Sequence, residues 1–312
     1  MIMEQTPGTQ PQAPASAPQA SAPPAGRLYE LGGRQLWLHR SGDGGPAVVF
    51  AAGASAVGLD YLNIHDRVAE FTTSVLYDRG GTGWSDEAGL PRSAAEVATE
   101  LHDLLRAAGL PGPYLLAGHS LGGAYVRRFA QLFPAEVAGL LLLESFYEDT
   151  DAYLPERLHL ARVRQPDPGR LQLRLMRPFM RRMYQGMFAP WPAQLREPLI
   201  ERHLSPEWFA AGVRERSNMP ELADELKAGA AVPDVPLIAL TALGIDPGMR
   251  LLMGPKALRE LTEGKLRLYA ALAGSVTHGE LRVLEDARHS TITTDRPDAV
   301  LAAIRDLLEK VA

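Results

Sequence analysis

The chain has 312 residues, of which 46% are hydrophobic and 22% are charged, so it carries enough apolar material to bury a sizeable core. Its 32 Lys and Arg residues and 37 Asp and Glu residues give a formal net charge of -5. Without a basic run, neither nucleic acid nor an anionic membrane is an expected partner. The absence of cysteine excludes disulfides, cysteine-ligated zinc and a thiol nucleophile, and the apolar runs are too short to span a bilayer.

Residues 1–26 are rich in Pro, Ala, Gln and Ser. Such a segment buries too little apolar surface to offset the entropy of ordering it, so the sequence predicts a disordered tail. The tail lacks the basic start and the continuous apolar stretch of a signal peptide. A cytoplasmic location is therefore expected, with secretion left open.

Strand and helix patterns alternate from Arg27 onward. The segment 28–40 has the pattern of a hairpin that turns at Gly32 and Gly33, and a capping box that starts at Ser93 begins a helix that ends at Gly109. Further strands are predicted at 47–52, 73–77, 114–117, 137–143, 236–241 and 281–285, and further helices at 61–71, 121–133, 256–273 and 297–311. This alternation predicts an α/β fold with a mostly parallel sheet and helices on both faces.

The alternation stops between the strand that ends at Leu143 and the strand that begins at Pro236. Residues 145–232 contain Arg, Met, several prolines and amphipathic helical stretches, without a clear strand. We therefore expect an α/β core made of residues 27–144 and 233–312, interrupted by a helical lid at residues 145–232.

The sharpest motif is Gly118-His-Ser-Leu-Gly-Gly123, which follows a predicted strand and precedes a helix. Gly-x-Ser-x-Gly at such a junction is typical of a nucleophile elbow, a strained turn that exposes the serine hydroxyl at the carboxyl end of the sheet. The N-terminus of the following helix favours the oxyanion that forms during acyl transfer. The motif predicts Ser120 as a nucleophile.

From about Arg27 to its C-terminus, the chain resembles the α/β-hydrolase superfamily, in the lid-bearing branch of esterases, peptidases and epoxide hydrolases. Four segments carry the resemblance in chain order: Val48-Val-Phe-Ala-Ala-Gly-Ala54, Tyr77-Asp-Arg-Gly-Gly-Thr-Gly-Trp-Ser-Asp86, the elbow, and Asp286-Ala-Arg-His289. The resemblance implies that the second segment is structural, with Asp78 and Arg79 bracing neighbouring loops.

An activated serine needs a base within hydrogen-bond reach. His289 lies after the last predicted strand and before the last helix, where the resemblance places the catalytic histidine. His278, in a loop before that strand, is the alternative base. His119, next to the nucleophile, is expected to support the site without contacting substrate.

The third member of the site should hold the imidazole in the correct tautomer. Asp246 follows the strand 236–241 and lies between Ser120 and His289 in the chain, which is the order that the resemblance implies. Glu144, at the carboxyl end of the strand 137–143, remains the alternative because some members of the superfamily take their acid from that strand.

An oxyanion hole needs two backbone amides. The resemblance assigns them to Leu121, directly after the nucleophile, and to Ala54. Relatives usually carry His-Gly-x in the loop of the second donor, whereas this chain has Ala52-Gly-Ala54.

Relatives that open epoxides or remove halides carry an aspartate at the elbow, so Ser120 points to an acyl-enzyme. Met183, Met187 and Phe188 of the lid are expected to line an apolar pocket.

We therefore expect a hydrolase that cleaves an ester of a hydrophobic small molecule without a metal or an organic cofactor. A lactonase, thioesterase, peptidase or carbon–carbon hydrolase with the same triad, a non-hydrolytic biosynthetic enzyme and a ligand receptor remain alternatives, and the oligomeric state is open.

Overall fold

A computed structural model describes residues 22–162 and 169–311 of the chain. In these residues a single sheet contains the strands β1 Arg27–Leu31, β2 Arg34–Ser41, β3 Val48–Ala51, β4 Ser74–Tyr77, β5 Tyr114–His119, β6 Val137–Leu143, β7 Leu237–Gly244 and β8 Gly279–Arg288. Their order across the sheet is β1-β2-β4-β3-β5-β6-β7-β8. Strands β1, β2 and β4 pair antiparallel, and the pairs from β4 through β8 are parallel. The predicted mostly parallel sheet is confirmed.

Helices cover both faces of this sheet. The α-helices of the described residues are α1 Leu62–Val68, α2 Ala94–Ala107, α3 Gly122–Leu132, α4 Thr150–Tyr153, α5 Arg170–Met187, α6 Ala193–His203, α7 Pro206–Glu215, α8 Met219–Ala228, α9 Pro247–Leu252, α10 Pro255–Ala273, α11 Ile292–Asp295 and α12 Pro297–Val311. Helices α1 and α12 pack on one face, and α2, α3 and α10 pack on the other.

The buried strands supply apolar side chains to both faces because successive side chains of a strand point in opposite directions. In β3, Val48 and Phe50 pack with α1 and α12, whereas Val49 and Ala51 pack with α2 and α3. This double-sided burial explains why the strands of the core read as continuous apolar runs in the sequence.

The segment between β6 and β7 is helical in the residues described and contains α4 to α8. Its side chains reach into the core: the indole nitrogen of Trp191 donates to the carbonyl of Leu59 at 2.8 Å. Glu215 at the end of α7 forms an ion pair of 2.6 Å with Arg79, and both side chains are almost fully buried. We refer to residues 145–162 and 169–232 as the helical block. In the part of the chain that the structure covers, no helix has both the length and the apolar character needed to cross a membrane.

Two residues of the predicted tail, Ala25 and Gly26, contact β2 in the described structure. Residues 1–21 of that tail lie outside the described residues. The indole nitrogen of Trp37, a fully buried side chain, donates to the carbonyl of Ala25 at 2.6 Å. Gly26 packs so closely on β2 that a Cβ there would lie 2.7 Å from the carbonyl oxygen of Leu38. Because a buried indole N–H needs an acceptor, Ala25 and Gly26 belong to the folded domain.

This contact separates two truncations that differ by only four residues. A chain that begins at Pro23 should keep the stability of the full-length protein to within about 0.5 kcal/mol. A chain that begins at Arg27 should lose about 1–3 kcal/mol of its free energy of unfolding, because the buried N–H of Trp37 loses its acceptor. Urea denaturation measures the difference. In a Trp37→Phe background the two truncations should be equally stable, and equal stability with Trp37 present would contradict this account.

Candidate active site

Ser120 occupies a tight turn between β5 and α3. Its backbone has a φ of 50°, in the left-handed region that a residue with a side chain rarely adopts. The N–H of Ser120 donates to the carbonyl of Leu143 at the end of β6, at 3.0 Å, and its own carbonyl accepts from Gly123 and Phe146. A Cβ on Gly122 would overlap the carbonyl of β3, so only glycine lets α3 begin this close to the sheet. The turn therefore holds the hydroxyl at the carboxyl edge of the sheet.

His289 follows directly after β8 and lies beside Ser120. Its Nε2 is 3.1 Å from Oγ of Ser120, within hydrogen-bond reach. The strand β8 is longer than the sequence predicted, and it delivers the imidazole to the carboxyl edge. His278 precedes β8 and therefore lies at the opposite, amino end of this parallel strand, so the structure excludes it as a partner of Ser120.

The carboxylate beside His289 is that of Glu144, and the prediction of Asp246 needs correction. Oε2 of Glu144 is 3.4 Å from Nδ1 of His289. Strand β6 lies between β5 and β7, so a residue at the end of β6 is one strand nearer to Ser120 than a residue beyond β7. Asp246 instead precedes α9, where its carbonyl accepts the amides of Met249 and Arg250. The Asp246-Pro-Gly sequence thus begins a short helix.

Glu144 is a buried carboxylate with four polar neighbours. Its Oε1 accepts from the hydroxyl of Thr241 and from the amide of Ala242, both at 2.7 Å. Its Oε2 faces both His289 and the ammonium group of Lys265, the latter at 2.6 Å. Burial alone would raise the pKa of Glu144, but the hydrogen bond with His289 and the charge of Lys265 outweigh it and lower the pKa to about 2. The carboxylate is therefore ionised at neutral pH.

Lys265 was not among the residues that sequence reasoning selected. It lies in α10, where its ammonium group also donates to the carbonyl of Ala242, and its side chain is only 14% exposed. The buried side chains of Leu261 and Leu268 lie four residues before it and three residues after it on the same helix. A lysine on the apolar stripe of a helix is the sequence signal that could have found it.

His119, expected to support the site, connects two of its loops. Its Nε2 is 3.0 Å from the carbonyl of His289, so this nitrogen carries the proton and donates. Nδ1 is then an acceptor for the hydroxyl of Tyr61 at 2.7 Å, and that hydroxyl in turn accepts from the amide of Gly53 at 3.2 Å. Burial, and next the neighbouring His289, lower the pKa of His119 to about 3, so the ring stays neutral and keeps this tautomer.

Leu121 and Ala54, the two predicted oxyanion donors, flank Ser120 from different loops. Among the described residues neither amide has an acceptor. The loop that carries Ala54 passes close to the nucleophile, since a Cβ on Gly53 would lie 3.2 Å from Cβ of Ser120. Arg79 holds this loop by donating to the carbonyls of Ala52 and Gly53. Two amides without acceptors beside a serine hydroxyl are what an oxyanion requires.

The predicted pocket residues divide into two groups. Met183 and Met187 line a cavity of about 880 Å³ between α5, α1 and the residues that follow His289. Phe188 is 1% exposed and packs against Trp191. That Phe188 lines a substrate pocket stays a prediction; in the structure its ring packs in the interior of the helical block. Within residues 22–162 and 169–311, no group of three or more His, Asp or Glu side chains is placed to hold a metal ion.

Residues 48–303 of the chain match the sequence profile of the alpha/beta hydrolase family. Among curated relatives, the uncharacterized protein YqjL of Bacillus subtilis is 31% identical over 133 residues, which cover 41% of this chain and 51% of YqjL. The chain therefore spans about half the length of this relative, and a smaller share of others that it matches.

Solved structures resemble the chain over most of its length. An esterase from Thermogutta terrifontis has a TM-score of 0.58 and 23% identity, and the match covers 89% of this chain and 94% of the esterase. The meta-cleavage product hydrolase of Pseudomonas fluorescens has a TM-score of 0.65 and 14% identity, with 93% and 99% covered. At these identities the likeness is one of fold.

The ion pair of Glu144 with Lys265 predicts a selective effect on stability. Lys265→Met should cost on the order of 3 kcal/mol of the free energy of unfolding at pH 7, because it leaves a buried carboxylate without its cation. Lys256→Met is the matched control: Lys256 lies on the same helix, but its side chain is 86% exposed, so its loss should cost less than about 0.5 kcal/mol. Urea denaturation of the three proteins measures both.

The pH dependence of this loss has a defined sign. The folded pKa of Glu144 is depressed from an ordinary value of 4.5 to about 2, so its contribution to stability is present above pH 4.5 and is lost as the pH falls toward 2. The deficit of Lys265→Met should accordingly shrink between pH 4.5 and pH 2. A deficit of the same size at every pH would contradict the assignment of the loss to this ion pair.

Proposed function

The chain belongs to the alpha/beta hydrolase family, and on that premise we propose that it is a serine hydrolase that cleaves an ester or related acyl bond of a hydrophobic small molecule. The observation that carries the proposal is the continuous contact from Oγ of Ser120 to Nε2 of His289, and from Nδ1 of His289 to Glu144. A nucleophile, a base and an orienting acid in this sequence of contacts are the parts that acyl transfer needs.

In the proposed reaction, Oγ of Ser120 attacks the carbonyl carbon of the substrate while Nε2 of His289 takes the hydroxyl proton. The protonated imidazole then gives that proton to the leaving group, which departs as the substrate carbonyl re-forms and leaves an acyl group on Ser120. Water repeats the two steps with the same base and releases the acid. The amides of Leu121 and Ala54 stabilise the negative oxygen of each tetrahedral intermediate.

Glu144 is proposed as the orienting acid in place of Asp246. An ionised carboxylate at Nδ1 keeps the proton of the neutral imidazole on that nitrogen and leaves Nε2 free to accept from Ser120. It also stabilises the imidazolium ion that forms in the transition state. The bonds from Thr241 and Ala242 hold the carboxylate in the plane that these roles require.

The helical block is proposed to select the substrate. It follows β6, so it covers the carboxyl edge of the sheet where Ser120 lies. Its α7 is held to the loop of Ala54 by Glu215, which bonds Arg79 and the amide of Ser55. This buried contact supports a fixed attachment at α7, and it leaves α5 as the part of the block whose apolar side chains are exposed.

Labelling with a fluorophosphonate probe tests the nucleophile. We expect stoichiometric modification of Ser120, detected by mass spectrometry of the peptide, and none in Ser120→Ala. Chelators should leave the rate unchanged. Folded protein without label would refute a serine hydrolase, and a tightly bound ligand released unchanged at the same rate by Ser120→Ala would favour a receptor on the same fold.

Two isosteric substitutions distinguish the candidate acids. Glu144→Gln should lower kcat by about 10⁴, because an amide stabilises the wrong imidazole tautomer. Asp246→Asn should leave kcat within about threefold of the wild type, since surface changes away from the reacting groups have small effects. Steady-state kinetics on a short-chain p-nitrophenyl ester measures both, and circular dichroism confirms folding. The opposite pattern would return the acid to Asp246.

A panel of substrates resolves the bond that is cleaved. The panel consists of p-nitrophenyl esters of rising chain length, lactones, acyl thioesters, aminoacyl amides and a diketone with a labile carbon–carbon bond. We expect the highest kcat/KM among the esters, because p-nitrophenolate leaves a tetrahedral intermediate more readily than an alkoxide, an amine or a carbanion does. Selective turnover of another class would replace the ester assignment while keeping the nucleophile.

A further inference from the structure

The cavity of about 880 Å³ lies beside the candidate active site rather than in it. Its walls come from α1, from α5 with the turn after it, and from the segment 288–297. Ser120, His289 and Glu144 are not among its lining residues, but Arg288 and Thr291, on either side of His289, are. The cavity is thus a separate recess behind the loop that carries the histidine.

The cavity has a positive wall. Three arginines and one carboxylate line it. The carboxylate, Asp295, is occupied by Arg288 and by the hydroxyl of Thr291. Among the described residues, the guanidinium groups of Arg67 in α1 and Arg182 in α5 have no hydrogen bond, ion pair or ring contact. Two uncompensated guanidinium groups therefore face one recess.

The remaining wall is apolar and unusually exposed. Phe179 is 70% exposed and Met183 is 43% exposed, and both line the cavity together with Met187 and Trp191. Of the eight large hydrophobic side chains that are exposed in the described residues, five lie on α5. A contiguous apolar surface of this kind marks a binding site more often than it marks idle surface.

We propose that this cavity binds a single-tailed amphiphile with an anionic head, the head between Arg67 and Arg182 and the tail along Phe179, Met183 and Trp191. Guanidinium groups bind carboxylate and phosphate oxygens through paired hydrogen bonds, and apolar walls with a few placed charges are the usual form of a small-molecule site. A second copy of the chain fits less well. Arg177 and Arg181 of α5 are paired with Glu201 and Glu197. Among the described residues Arg67 and Arg182 are not paired, so a second copy would bring these like charges together. The site is independent of the chemistry proposed for Ser120.

Calorimetric titration of the full-length Ser120→Ala protein tests the proposal with four probes of the same tail length. Octanoate and octyl phosphate have anionic heads, a carboxylate and a phosphate. Octan-1-ol has a neutral head and octylammonium has a cationic head. We expect one molar equivalent of each anionic probe to bind. The Kd of octan-1-ol should be at least tenfold higher, and that of octylammonium should be higher still. The ratio of octanoate to octyl phosphate decides which head the site prefers.

Variants locate the binding. Arg67→Met combined with Arg182→Met should weaken the binding of octanoate at least tenfold and leave the binding of octan-1-ol unchanged. Phe179→Ser should weaken the binding of both probes. Arg106→Met, which removes a charge from α2 on the other face of the sheet, is the matched control and should change neither. Because Arg67, Arg182 and Phe179 are exposed, loss of folding is not expected, and thermal denaturation verifies it.

Three results would overturn the proposal: octanoate and octan-1-ol binding equally, the double arginine variant binding octanoate as before, or no saturable binding in the millimolar range. Light scattering across a concentration range tests the competing occupant. A dimer that Phe179→Ser dissociates would assign the surface to a second copy of the chain. The two tests are independent. If octanoate does not bind, fluorophosphonate can still label Ser120, and if Ser120 is not labelled, the binding measurement remains valid.

Discussion

Ser120 and Glu144 both have left-handed backbones, with φ angles of 50° and 44°, at the ends of the neighbouring parallel strands β5 and β6. A non-glycine residue in this region costs about 1–3 kcal/mol and persists only where the surrounding structure enforces it. Here the next strand of the sheet holds each residue, because the amide of Ser120 donates to the carbonyl of Leu143 in β6 and the amide of Glu144 donates to that of Leu240 in β7. The third non-glycine residue with a positive φ in the described residues is Ser55, in the loop that passes close to Ser120. The strained positions thus surround one point at the edge of the sheet.

The second constraint is electrostatic. A buried carboxylate stays ionised only if cations and hydrogen-bond donors replace the water that it has lost. Glu144 has Lys265, Thr241 and Ala242 for this purpose, in addition to His289. The lysine and the imidazole share one carboxylate oxygen, so the ion pair that keeps this carboxylate charged in the interior also sets the charge beside His289. The stability of the fold and the geometry around His289 therefore depend on the same ion pair.

The helical block is tied to this arrangement through Arg79. Its guanidinium group donates to the carbonyls of Ala52 and Gly53 and pairs with Glu215 of α7, and both side chains of the pair are almost fully buried. Breaking such a pair leaves an uncompensated buried charge, which makes the attachment rigid. In the part of the block before α7, α5 exposes apolar side chains. The predicted bracing role of Arg79 extends from the loops of the core to the block above them.

The local structure could be predicted from the residues alone: the alternating strands and helices, the elbow at Ser120 and the position of His289 after the last strand. Those features depend on residues that are close in the chain, through periodicity, capping and the small size of glycine. The choice between Asp246 and Glu144 depended on which strand lies beside β5, and strand order is a property of the tertiary structure alone. The same reason hid Lys265, whose charge has a partner only when α10 packs against β7. The periodicity of a helix likewise shows that a side chain such as Phe188 is apolar, but not whether a cavity or the interior of the helical block receives it.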